Sequence, residues 1–215
     1  MNDFVRARDA SRLTELVTAL GITLDDAAAE RLLRYVELVV TWNKKLDLTA
    51  ARGATAQLEV LLADALVLSD VELTPRGSRV LDVGSGAGAP GLALLLARDD
   101  LHMTLVEPLQ KRVAFLRSAL GTLGCVGRAR VLRAKLDPDA PQLTEAQLPF
   151  DVALSRATFA PEVWTALGVQ LARRTLTLLA AQDTPPAPAG FALLFERAYR
   201  LPWSGAPRRI AVFGA

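Results

Sequence analysis

The sequence predicts an α/β fold in which a largely parallel sheet follows a set of N-terminal helices. Three observations carry that expectation. No convincing strand pattern occurs before Ser78. From Ser78 onward, short apolar runs alternate with helical stretches, the pattern of a parallel sheet with right-handed crossovers. Within that alternation, RVLDVGSGAGAPG (79–91) sets an apolar run directly before Gly84, Gly86, Gly88 and Gly91, and the helix-forming LALLLA follows. That order reads as buried strand, glycine turn and helix N-terminus.

The first helix rests on Leu13, Leu16, Val17 and Leu20 at i, i+3, i+4, i+7 spacing, with Gly21 closing it. Thr23 and Asp26 resemble a capping box for a second helix, which continues to about residue 46 with Leu32, Leu33, Val36, Val39 and Val40 on its apolar face. A third helix spans about 55–68. Residues 1–75 are therefore expected to be a helical extension packed on a domain of residues 76–215. There the expected order is strand 79–83, helix 90–97 with Pro90 at its first position, strand 103–106, helix 110–123, strand 129–133, strand 152–155 and one helix over 162–180. Gln182 opens QDTPPAPA, which reads as loop. A fifth strand is expected at 191–195, and 199–203 with 209–213 reads as a hairpin around SGAP.

In such a sheet, ligands bind beyond the carboxyl ends of the strands. Glycines there allow positive φ and leave no Cβ between backbone and ligand. The first N–H groups of the following helix favour polar or anionic atoms. Glycine spacing alone is also met in turns that need glycine only for steric reasons. Asp82, two residues before the first glycine, makes the motif D-x-G-x-G-x-G, tighter than the dinucleotide spacing. Glu107 ends the second strand about twenty residues further on, where a ribose-binding acid belongs.

The totals narrow the class. The chain has 215 residues, 51% of them hydrophobic, enough for one full core or one core with an appendage. One cysteine, Cys125, excludes an internal disulfide or a cysteine zinc site, and one histidine, His102, leaves little room for a metal cluster or a histidine triad. No metal is expected. The start lacks an apolar signal core and no apolar stretch reaches membrane-spanning length, so a cytoplasmic monomer with no membrane partner is expected. Residues 1–75 carry a net −4 and the remainder +6, adding to +2. A basic second part fits a polyanion such as nucleic acid, and equally an arginine-rich surface.

The D-x-G-x-G-x-G turn with its distal acid resembles class I S-adenosylmethionine-dependent methyltransferases, with a dinucleotide site as the alternative. By that resemblance the bare backbone of Gly84, Ser85, Gly86 and Gly88 approaches the cofactor's amino-acid tail. Glu107 accepts from the ribose hydroxyls, since a carboxylate is acceptor-only. Leu136 and Asp137 meet the adenine, and Arg156 pairs with the cofactor carboxylate.

YVELVVTWNKKLDLTA (35–50), LLADAL (61–66), LDVGSGAGAPGLAL (81–94), LVEPLQKRVAFLR (105–117) and FDVALSRA (150–157) together resemble the bacterial glucose-inhibited-division B (GidB) family. That family methylates guanine N7 in small-subunit ribosomal RNA. The resemblance implies a Rossmann-like sheet, S-adenosylmethionine as cofactor, and ribosomal RNA or the small subunit as partner. It places Asp82, Gly84, Ala89, Leu136, Asp137 and Arg156 at the cofactor. Asn43, Lys44 and Thr49 fall near the acceptor, with Lys44 and Lys45 either meeting phosphates or capping a helix C-terminus. An N7 lone pair needs no general base, which suits a chain with one histidine. Several acceptor-side positions depart from the family. Leu61 and Ala65 stand for its histidine and serine, and Asp47 for an asparagine. Glu196 and Arg197 stand where its fifth strand ends in lysine and glycine, and the excursion after that strand looks nearly absent. Two alternatives therefore stay open: a diverged paralogue with another acceptor, and a non-catalytic protein-interaction module.

Overall fold

Val80, Leu81 and Val83 form β1 (Arg79–Val83), the strand around which a seven-stranded sheet is ordered β3-β2-β1-β4-β5-β7-β6. The computed structural model describes residues 3–138 and 149–215. Before β1 come α1 (Asp3–Ala19), α2 (Asp26–Asn43) and α3 (Ala54–Leu68). After it come α4 (Gly91–Ala97), β2 (His102–Val106), α5 (Gln110–Thr122), β3 (Ala129–Leu132), β4 (Phe150–Ser155), α6 (Pro161–Leu171), β5 (Ala172–Leu179), β6 (Ala192–Arg200) and β7 (Pro207–Gly214). β1 to β5 pair in parallel, and β7 and β6 close the edge antiparallel. The chain builds outward through β2 and β3 on one side of β1 and through β4 and β5 on the other. The crevice above β1 and β4 is therefore the topological switch point, where open α/β sheets bind ligands.

Strand alternation decides which helices cover which face. Val80, Leu105, Val152 and Leu176 join one continuous core with residues of α1 to α5, from Leu13 and Leu16 to Phe115 and Leu120. The N-terminal helices thus share a core with the sheet. Leu81, Val83 and Ala153 point the other way, onto Trp164, Leu167 and Leu171 of α6. No helix among the described residues is long and apolar enough to cross a membrane.

The structure corrects the sequence-based expectation at several places. The N-cap of α2 is Asp25, whose extended backbone lets its carboxylate accept from Ala28 N at 2.7 Å; the expected Thr23–Asp26 box is not used. α2 ends at Asn43, three residues early, because the Asn43 side chain turns back on the following loop. Pro90 is the N-cap of α4.

The largest correction concerns the stretch expected as one helix over 162–180. It is α6 followed without a loop by β5. Thr175, Leu176, Thr177 and Leu179 are all buried, so a β-branched run buried on both faces overrides helix-compatible leucines. The junction hides in sequence because Leu171 ends the helix and Ala172 begins the strand. The expected fifth strand and the first arm of the hairpin are a single strand, β6, with a register irregularity between Leu193 and Phe195.

It follows that Ala180 and Ala181, not Glu196 and Arg197, come directly after the fifth strand, and that an excursion over 180–191 does separate it from the hairpin. Arg197 instead pairs with Asp70 and Glu72, tying β6 to the segment after α3, and Glu196 lies 3.8 Å from Arg209. The shortening that motivated the interaction-module alternative is therefore not where the sequence placed it.

α6 packs onto β5 at Gly168, where an added Cβ would lie 2.4 Å from Thr175 Cγ2. Gly168→Ala should destabilise the protein by about 1–3 kcal/mol through overpacking. Combined with Thr175→Ala, it should cost less than the two single changes summed. Denaturant unfolding of the four proteins checks this.

Candidate functional site

At the end of β1 the chain turns sharply enough to need positive φ at Gly84 (78°) and Gly86 (54°). Gly84 N and Ser85 N both donate to Val106 O, at 2.8 and 3.1 Å, so pairing with β2 continues past the strand. Ser85 Oγ donates to Asp82 O at 3.0 Å. An added Cβ at Gly84 would meet the Thr158 side chain at 2.0 Å, whereas at Gly86 the nearest atom would be Gly84 O at 3.8 Å. Gly84 is thus required by protein packing, and Gly86 is where main chain stays bare toward open space.

Glu107 sits beside this turn, as expected, and is 2% exposed. Both its oxygens serve backbone: Oε2 accepts from Gly86 N and Oε1 from Leu109 N, each at 2.9 Å. One carboxylate therefore ties the glycine turn to the start of α5. Each oxygen keeps a second lone pair.

Asp82 lies under the turn. Alternation along β1 points it with Val80 toward the helical face, where Gly91 N donates to Oδ2 at 3.2 Å. A Cβ on Gly91 would come within 2.3 Å of that oxygen, so glycine lets α4 start on top of the acid. Burial pushes the Asp82 carboxyl up to about 7, outweighing the pull of neighbouring Ser85 and Arg156. From α2, the fully buried Tyr35 donates its hydroxyl to Ala87 O at 2.9 Å. The N-terminal helices thereby hold the turn from the side, and Ala89 is buried in the same core.

One strand over, β4 ends in Ser155, whose Oγ donates to Val83 O at 2.8 Å and locks β4 to β1 at the switch point. Arg156 follows. Its Nη1 donates to Val60 O and to Asp64 Oδ2 of α3, both at 2.8 Å. Asp64 Oδ1 accepts from Tyr199 Oη of β6 at 2.5 Å. Burial first, and then Asp64, push the Tyr199 phenol far above its ordinary value, so it remains a donor. Val60, Asp64, Ser155 and Arg156 border a cavity of about 320 Å³ whose walls also include Glu59, Phe159, Trp164, Thr177 and Arg208, with Tyr199 behind Asp64.

The structure brings Asp82, Gly84, Ser85, Gly86, Gly88, Ala89 and Glu107 together at the turn, with Arg156 across the switch point. Leu136 is buried with Val106 and Trp164, and Asp137 is exposed after it. Asn43, Lys44 and Thr49 do not line the Arg156 cavity. Asn43 Oδ1 accepts from Leu48 N (2.8 Å) and Thr49 N (3.0 Å), and its Nδ2 donates to Thr49 O (3.0 Å), so this side chain is spent on its own turn. Arg112 of α5 holds that turn through Asp47 O at 3.2 Å. Lys44 caps α2 and is exposed. The departures at Leu61 and Ala65 fall in the apolar core, each 1% exposed, and line no part of the cavity.

Sequence reasoning did not assign Glu59 or Tyr199 to the site. The signal for Glu59 was present: LEVLLADALVL (58–68) is an apolar helix interrupted only by two acids, and acids in such a helix must be buried with partners. Tyr199 carried no such signal, since its partner is 135 residues away.

A family model described as GidB, rRNA small subunit methyltransferase G, matches residues 28–184. The ribosomal RNA small subunit methyltransferase G of Anaeromyxobacter dehalogenans (strain 2CP-1) is 34% identical over 204 residues, which cover 91% of this chain and 92% of that protein. The protein of that name from Myxococcus xanthus (strain DK1622) is 35% identical over 218 residues, 96% of this chain and 97% of its own. Among solved structures, the O-methyltransferase from Bacillus cereus in complex with SAH superposes with a TM-score of 0.55 at 13% identity, covering 85% of this chain and 91% of that one. A SAM-dependent methyltransferase from Aquifex aeolicus gives 0.50 at 16% identity, covering 74% and 93%. At such identities these structures speak for the fold.

The Asp82 carboxyl, raised from 3.8 to about 7, gives a signed expectation. Between those values the folded state keeps a proton that the unfolded chain has lost, so this group's contribution to stability is full at low pH and falls as pH rises through the window. Asp82→Asn should therefore gain stability relative to the unmodified protein from pH 4 to pH 7 and stay level above it. Unfolding free energies of both proteins across that range check this.

Proposed function

This chain belongs to the GidB family of small-subunit ribosomal RNA methyltransferases, and on that premise we propose that it transfers a methyl group from S-adenosylmethionine to N7 of a guanine in small-subunit ribosomal RNA. The observation that carries the reading is the Glu107-anchored glycine turn at the switch point, one strand from a cavity bordered by Arg156.

The residues present fit the cofactor. Gly86 leaves bare main chain with no side chain in its way, and the buried Glu107 beside it keeps acceptor lone pairs where a nucleoside's hydroxyls would lie. When bound, S-adenosylmethionine supplies a methyl on an already activated leaving group. Glu107 would accept from the ribose hydroxyls through its second lone pairs while its first ones keep the turn closed. Leu136 and Asp137 would meet the adenine, Asp137 as acceptor for the exocyclic amine. Arg156, with Nη1 committed to α3, has its other N–H groups left to pair with the cofactor carboxylate.

Guanine N7 carries a free lone pair, so no side chain has to remove a proton. The protein's work is alignment and exclusion of water. The partner is ribosomal RNA or the assembled small subunit, met by a chain whose second part is net basic.

Mapping of ribosomal RNA by mass spectrometry in a deletion strain tests the reading. One N7-methylguanosine should disappear from the small-subunit RNA, return with the intact gene, and fail to return with Gly86→Asp, which fills the turn with a negative side chain. An unchanged modification map would refute the proposal. In solution, Glu107→Ala should weaken S-adenosylmethionine binding by about 1.5–3 kcal/mol, the range for a hydrogen bond to a charged group, read by calorimetric titration.

A further inference from the structure

Glu59 is a buried carboxylate used on one side only. It lies on α3 and is 5% exposed. Its Oε1 accepts from Trp203 N at 2.8 Å and from Ser204 N at 3.2 Å, so the tip of the β6–β7 hairpin holds it in place. Its Oε2 accepts from no described residue and is not sealed from solvent, and Glu59 lines the cavity beside Arg156. A buried anionic oxygen without a donor is costly unless a ligand supplies one. The two fixed N–H bonds on Oε1 determine which oxygen that ligand meets.

The rest of the cavity suits a flat ring. Trp164 is pinned by its Nε1 bond to Leu176 O at 3.0 Å, and Phe159 stacks on it at 6.2 Å with ring planes 12° apart. Phe159 and Trp164 both line the cavity, which at about 320 Å³ is at the small end of ligand sites. Ser155 and Arg156 form part of the same lining, so the cavity adjoins the switch point where the proposed cofactor would present its methyl group. Stacking alone does not tell one base from another, because every base has a π-face. Discrimination has to come from an edge, and among the polar side chains that line the cavity, beside Arg156, Gln182 and Arg208, Glu59 is an acceptor held in a fixed position by two backbone amides.

Resting on the function proposed above, we infer that Glu59 is the specificity-determining residue for the methyl acceptor, its Oε2 receiving the N1–H and exocyclic amine of guanine. Guanine presents two donors on that edge. Adenine presents the N1 lone pair instead, which a carboxylate oxygen repels. Methylation at N7 leaves the purine positively charged, with no proton transferred. The bond from donor edge to anionic oxygen is therefore stronger in the transition state than in the ground state, and it contributes to kcat as well as to selection.

The test uses full-length protein, radiolabelled S-adenosylmethionine and unmodified small subunits carrying either guanine or adenine at the accepting position. The unmodified enzyme should bind the guanine form in preference, by roughly ten- to a hundredfold. Glu59→Gln keeps an oxygen for Trp203 N and Ser204 N and turns an amide N–H₂ toward the base. It should lose turnover on guanine and lose most of the preference, because the amide repels guanine's donors and attracts adenine N1. Its S-adenosylmethionine affinity should stay within about twofold. General damage to the fold would weaken both substrates alike and leave their ratio unchanged. A Glu59→Gln protein that retains the full preference for guanine overturns the inference while leaving the methyltransferase reading intact. An unmodified enzyme that binds S-adenosylmethionine but labels neither subunit overturns both.

Discussion

Two backbone N–H groups, from Gly86 and Leu109, converge on the single carboxylate of Glu107. Most of what is functional in this structure depends on that convergence. The glycines permit many conformations of the turn, and the carboxylate selects one, at the same time fixing where α5 begins. Hydrogen bonds to a charged group are worth roughly 1.5–3 kcal/mol each, and removing the acid would leave both amides without their acceptor. Asp82 does the corresponding work from below, accepting from Gly91 N so that α4 starts directly over the end of β1. Two buried acids around a bare backbone fix the shape of the turn, and burial keeps one of them, Asp82, protonated well above the usual carboxylate range.

The second half of the site is assembled from parts far apart in the chain. α3 contributes Glu59 and Asp64, the loop after β4 contributes Arg156, and the hairpin contributes Tyr199 and the amides of Trp203 and Ser204. The N-terminal helices are therefore as much a part of the site as the sheet. They share one apolar core with it, they buttress the turn through Tyr35, and they border the cavity beside Arg156. Leu61 and Ala65, where the resemblance implies a histidine and a serine, lie in that core and outside the cavity lining.

The misread stretch at 162–180 shows where local pattern fails. A helix that runs straight into a buried strand offers no turn residues to mark the boundary. The leucines of TLTLL satisfy either periodicity until the sheet on one side and α6 on the other decide the matter. That error moved the fifth strand by about twenty residues and set Glu196 and Arg197 at its end, where they do not lie. The expected acceptor segment shows bonding of a different kind that the sequence hides. Asn43 and Thr49 have polar side chains suited to a ligand, but the chain reverses at the end of α2 and those groups satisfy the reversal.

By itself, the sequence determined the central strand, the glycine turn after it, the acid at the end of the second strand and the alternation that makes the sheet parallel. Each of these is a local matter of periodicity, of φ that only glycine adopts easily, or of spacing along one chain segment. Only the tertiary structure decided what those acids are bonded to, where α6 gives way to β5, and which side chains line the cavity beside Arg156. A carboxylate's role depends on which amides reach it, and the amides that reach Glu59 come from residues 144 and 145 positions away, beyond what any window of sequence contains.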